Sequence, residues 1–132
     1  PVDDDGHLLF VGRTYRDVPT FLAAVLRAGV PCAMVRHAEH ATAHGTDFSV
    51  GERPPSLREI VHDGSHDSWL ELIARSRGIV LAIQPGVICA AGISTLLDAF
   101  VLGKPVVITD CPATRGFVGE GDVALVPAGD VE

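Results

Sequence analysis

Short apolar runs alternate with stretches of helical periodicity along most of this chain. "HLLFVG" (7–12) reads as a buried strand closed by glycine, and "VPCAMVR" (30–36) as a second one. Between them, "DVPTFLAAVLRAG" (17–29) sets Val18, Phe21, Leu22, Val25 and Leu26 at i, i+3, i+4, i+7 and i+8, the stripe of a helix packed on one face. Asp17 can cap that helix, Pro19 is tolerated in its first turn, and Gly29 can close it. "LREIV" (57–61) is a weaker third strand. "DSWLELIARSRG" (67–78) is a second helix, with Ser68 and Glu71 at capping-box spacing and Gly78 after its end. "IVLAIQ" (79–84) is a fourth strand, and "ISTLLDAFVLG" (93–103) a third long helix. "PVVITD" (105–110) and "VALVP" (123–127) are further strands, with a short helix expected around 113–119.

Strands apolar on both faces, alternating with helices, indicate a parallel sheet covered on both sides. The fold class expected is α/β, a Rossmann-like three-layer sandwich with a parallel sheet of about six strands. The irregular stretch 37–56, with its histidines, glycines and "RPP", is expected to be a long loop or a short, poorly defined helix. A doubly wound sheet usually closes with a helix over its last strand. The chain stops at "VPAGDVE", so residues 1–132 are expected to be one domain and a fragment of a longer, two-domain protein.

Composition narrows the class. Hydrophobic residues make up 47% of the chain, and its net charge of −7 argues against a binder of nucleic acid or of an anionic membrane. Three widely spaced cysteines without a CxxC pair fit a reducing, cytoplasmic setting better than a disulfide framework. No apolar run has transmembrane length, and no signal peptide is apparent.

In open parallel sheets ligands bind at the carboxyl ends of the strands. After the first strand stands "GRTYRD" (12–17): Gly12, two arginines and a helix start. Backbone N–H groups at a helix N-terminus favour anions, and an adjacent guanidinium adds paired donors, which makes Arg13 and Arg16 candidates for phosphate contact. On this local pattern alone, solvated surface arginines are the preferred reading of both. After the fourth strand, "PGVICAAG" (85–92) is rich in small residues and leads into the third long helix. On that helix Ile93, Leu96, Leu97, Phe100 and Val101 form the expected buried stripe, while Ser94, Thr95 and Asp98 share the opposite arc. A carboxylate at 98 can accept hydrogen bonds from ribose hydroxyls, although a plain exposed helix acid fits the local pattern as well. His37, His40 and His44 have a spacing that could chelate a metal, but no fourth ligand is visible and an incidental reading is preferred. Cys89 lacks a base positioned to activate it, "HDGSHD" (62–67) reads as a turn with a helix cap or as the base end of a nucleotide site, and Trp69 reads as core.

Together these residues carry a resemblance. "ISTLLDAFVLGKPVVITD", followed by "GFVGEGDVALVPAGD", resembles the C-terminal, donor-binding domain of the GT-B glycosyltransferases of the family-4 (group 1) type, whose pattern is roughly "LLEAMALGKPVVATD" and then "YVEDGVTGLLVPPGD". The "LFVGR" opening and "WLELIARSRGIVLAIQP" are similar to that domain too, so that only 37–56 lies outside the likeness. The resemblance implies a retaining transfer of a sugar from a nucleotide-diphosphate sugar, a UDP- or GDP-sugar, to an acceptor. It implies no further cofactor and no metal. Asp98 takes the place of the acid that binds the ribose hydroxyls. Gly12 and Arg13 match the glycine and the pyrophosphate arginine after the first strand, and Gly92, Ile93, Ser94 and Thr95 face the diphosphate at the helix start. Two positions depart from the pattern: Ala90 stands where the family has its first glutamate, and the family's phosphate lysine has no counterpart, Arg16 being the nearest cation.

The resemblance gives no catalytic residue to this chain, because the acceptor site and any base belong to an N-terminal domain. That missing domain is the expected partner and the only route to a membrane, and the isolated chain is expected to bind nucleotide weakly and turn over nothing. The competing reading is a non-catalytic Rossmann-like nucleotide-binding or regulatory module. A dinucleotide oxidoreductase is disfavoured, since "VGRTYRD" lacks GxGxxG and Arg36 stands where an acid should end the second strand.

Overall fold

The structure is a computed structural model that describes residues 5–37 and 42–132. In chain order its elements are β1 (Leu8–Phe10), α1 (Val18–Ala28), β2 (Cys32–His37), β3 (Thr42–Ala43), β4 (Thr46–Asp47), β5 (Leu57–His62), α2 (His66–Arg75), β6 (Gly78–Leu81), α3 (Ile93–Val101), β7 (Val106–Asp110) and β8 (Ala124–Pro127). Six strands form one sheet in the order β5-β2-β1-β6-β7-β8, every neighbouring pair parallel. Strand order therefore reverses between β1 and β6, which pair Leu9 with Ile79. That reversal opens a crevice at the carboxyl edge. The α/β Rossmann-like sandwich expected from the apolar pattern is what the chain forms.

Local chemistry explains the ends of the helices. Asp17 caps α1 by accepting from the Thr20 amide, and Gly29 closes it in the left-handed conformation at φ 63°, its N–H on Val25 O. The cap of α2 is Ser65, which accepts from the Ser68 amide, not Ser68 itself. The helix starts one turn before the expected cap because "DGS" (63–65) turns the chain there: Asp63 accepts from the Ser65 amide at 2.8 Å. Gly78 follows the end of that helix as expected, but the cap is Ser76, and Gly78 itself opens β6, where a side chain would meet the Pro105 backbone.

Two stripes need correction. In α1 Val18, Phe21, Leu22 and Val25 are buried, but Leu26 points out. In α3 the buried face is Thr95, Leu96 and Ala99 with Ile93 half-covered, while Leu97, Phe100 and Val101 are exposed, the last by 86%. A helix lying on one sheet face has only a narrow covered arc, and the sequence offered apolar residues over a wider one. The stretch 113–119 forms turns rather than a helix, held by Thr114, whose hydroxyl donates to Thr109 O at 2.9 Å. Within 37–56 the two-stranded hairpin β3–β4 replaces the expected loop or helix, with Ala43 opposite Thr46.

Side chains of successive strand residues leave the sheet on opposite sides. Leu9, Ile79, Leu81, Val106 and Ile108 meet α2 and α3 on one face. Phe10, Met34, Phe21, Leu22, Val25 and Phe48 pack with α1 on the other, where the Phe10 and Phe21 rings stack at 4.2 Å. Beside α1 that second face is open: a groove of about 460 Å³ runs along Val80, Ala82, Val107 and Val126 to the terminal residues 129–132.

Candidate functional site

The carboxyl edge of the sheet gathers the loop after β1, the hairpin β3–β4 and the loop between β6 and α3. β1 ends in buried Val11, and the chain then turns at Gly12 with φ +94°. Arg16 folds back over that glycine: a methyl group added there would lie 2.0 Å from Arg16 Nη2. Glycine at 12 suits that backbone angle, and any side chain there would displace the guanidinium above it. The loop is pinned from three sides. Arg16 forms an isolated antiparallel bridge with Ile83, its amide donates to Thr46 Oγ at 2.7 Å, and the Thr46 hydroxyl donates to Arg13 O at 2.6 Å. The Gln84 amide nitrogen donates to Arg16 O at 3.1 Å and to Gly45 O at 2.7 Å.

Arg16 is 2% exposed, so it is not a surface arginine. Its Nε donates to Val11 O at 2.9 Å and Nη1 to Thr14 O at 2.7 Å. Among the described residues Nη2 has no hydrogen-bond partner, and no carboxylate lies within ion-pair reach of the guanidinium. Burial pulls the group down from its ordinary range to about 10, so it stays charged at neutral pH in a place that disfavours charge. Buried charges normally have a counter-charge. Nη2 also stands 3.6 Å from where a side chain at Gly92 would begin. Gly92, at φ +85°, is the N-cap of α3 and supplies no side-chain cap. The start of α3 therefore lies beside the Arg16 guanidinium. Helix N-terminal N–H groups and a guanidinium both favour an anion.

The remaining expected residues divide. Arg13 is exposed, Ser94 is exposed, Ile93 packs against the core and Thr95 is buried at 3%. Asp98 does not face freely outward. It is half-buried, and its Oδ2 accepts from Trp69 Nε1 of α2 at 3.1 Å. Trp69 packs against the core and meets the His62 ring edge-on at 5.5 Å. His62, at the end of β5, accepts from the Gly64 amide at Nδ1, 3.1 Å, which places its proton on Nε2, 3.0 Å from Ser68 Oγ. With that proton in place the imidazole is no base toward Ser68. Asp63 is held at about 2 by the Ser68 hydroxyl first and by the Ser65 amide.

Thr46, Gln84 and Trp69 shape the site, yet nothing local in the sequence gives their contacts: each works through a partner about thirty or more residues away. Among the described residues no three histidine, cysteine or acidic side chains converge as a metal site, and the spacing of His37, His40 and His44 falls partly outside them. Cys32 and Cys111 are buried and unpaired, Cys89 is exposed, and burial pushes the Cys32 thiol up to about 11. No described helix is long and apolar enough to cross a membrane.

No protein-family model matches the chain, and no curated protein matches it. Among solved structures it is similar to the crystal structure of AviGT4, a glycosyltransferase involved in avilamycin A biosynthesis, at 20% identity and a TM-score of 0.67. The match covers 96% of this chain and 38% of that one, so the chain spans well under half of its structural relative, and the likeness is one of fold.

Proposed function

We propose that this chain is the donor-binding half of a glycosyltransferase, holding a nucleotide-diphosphate sugar, of the UDP or GDP type, for retaining transfer to an acceptor bound by a second domain. The observation that carries the reading is the buried guanidinium of Arg16, which has no carboxylate partner among the described residues and is set against Gly12 and the start of α3. Gly92 and the first turn of α3 cradle the diphosphate, Arg16 neutralises it, and exposed Arg13 closes over it from the solvent side. Departure of the nucleoside diphosphate builds charge on the leaving oxygen, and donors already in place stabilise that charge without reorganising. Asp98 sits six residues into the path from Gly92, about 9 Å along the helix, a span that a nucleoside diphosphate covers between its phosphates and its ribose. The fold of its structural relative supports the same reading.

Linkage gives the test its sign. A base whose value falls on folding binds its proton less tightly in the folded chain, so charged Arg16 weighs against folding at every pH below about 10. A bound anion removes that penalty. Inorganic pyrophosphate and one of UDP, GDP or ADP are therefore expected to raise the melting temperature of the 132-residue chain, and Arg16→Gln to weaken their binding at least about tenfold by calorimetry. Equal binding by wild type and Arg16→Gln would end the proposal. Ala90, in place of an acid near the reacting sugar carbon, favours a second reading, a nucleotide-binding module without transferase activity. In that case nucleotide binds and depends on Arg16, but no UDP- or GDP-sugar is consumed when the second domain is present.

A further inference from the structure

We infer that Trp69 is a positioning residue for Asp98, an assignment that rests on the reading of Asp98 as the ribose acceptor. The carboxylate at 98 belongs to α3 and the indole to α2, and the bond from Nε1 to Oδ2, 3.1 Å long, joins those helices. Aspartate has a free choice between its two oxygens when it is solvated. Here one is committed to the indole, which turns the carboxylate and leaves Oδ1 to accept from a ligand hydroxyl. The indole is itself fixed. The Ser65 cap sets where α2 begins, with Trp69 N–H on Ser65 O, and His62 meets the ring edge while the Gly64 amide holds the imidazole. A short acid on a helix reaches less far than a longer one, so its direction matters more. The structure assigns that direction to Trp69. An acid constrained in this way discriminates a ribose from a deoxyribose better than a mobile one, because the hydroxyl finds its acceptor already oriented.

Trp69 is the chain's one tryptophan, so its indole N–H gives a single resonance. Whichever of UDP and GDP binds is compared with its 2′-deoxy form, and inorganic pyrophosphate serves as the control. The ribonucleotide is expected to move the indole resonance, and pyrophosphate to leave it in place. Wild type is expected to prefer the ribonucleotide by about tenfold. Asp98→Ala removes that preference, and Trp69→Phe, which keeps a ring but loses the N–H, cuts it to about threefold while pyrophosphate affinity holds. A full preference in Trp69→Phe overturns the inference alone. No loss of preference in Asp98→Ala overturns the ribose reading beneath it. If Trp69→Phe does not fold, the wild-type resonance decides: an indole signal that the ribonucleotide and its 2′-deoxy form move equally refutes the assignment.

Discussion

A methyl group at position 12 would sit 2.0 Å from Arg16 Nη2, on a backbone already at φ +94°, where side chains are strained. Gly12→Ala is therefore expected to cost about 1–3 kcal/mol in urea unfolding, from the backbone and the displaced guanidinium together. The same substitution should abolish the stabilisation by pyrophosphate. A variant that unfolds like wild type would mean that Arg16 has another place to go. At this scale the two arginines of "GRTYRD" are not alike. Arg13 is exposed, and Arg16 is buried under its own loop with Val11 and Thr14 carbonyls as partners. Their spacing from the strand made both candidates, but only the packing tells them apart.

The elements around the site are short, and their ends do the positioning. The hairpin β3–β4 is a small thing in itself, yet Thr46 joins it to the Arg13 carbonyl and the Arg16 amide at once. Thr46→Val keeps shape and removes both bonds, leaving a buried amide without a partner. We expect a loss of about 1–3 kcal/mol and a weakened response to pyrophosphate, measured by thermal unfolding with and without the anion. Unchanged stability would show that the hairpin does not hold the loop. Helix α3 teaches the opposite lesson about pattern. Its apolar residues spread around the helix, so periodicity alone nominated Leu97, Phe100 and Val101 for the interior. One covered face had room for Thr95, Leu96 and Ala99 instead.

Across the whole molecule, the two faces of the sheet differ in cover. Consecutive residues of β7 sample both: Ile108 is buried under α3, while Val107 lines the open groove beside α1. Ile108→Ala is expected to cost about 2–5 kcal/mol, the range for emptying a packed core site. Val107→Ala should cost less than half of that, because much of its surface is already outside the core. Chemical unfolding of the two variants in parallel tests this, and equal losses would mean that the groove is filled in solution.

Most of the scaffold can be read along the chain. Three long helices and the six strands of the sheet are legible because they rest on local chemistry: apolar runs, the Asp17 cap, the Gly29 stop. The edge where a ligand would bind is legible as well, since parallel strands and βα turns fix it in any such sheet. The burial and the partners of each candidate residue there come from tertiary packing. Arg16 became a buried charge because Gly12, Thr46 and Gln84 close around it, and Asp98 acquired a direction because Trp69, 29 residues away, ends within hydrogen-bonding distance. Burial and pairing are properties of neighbours in space, and a pattern along the chain holds only neighbours in sequence.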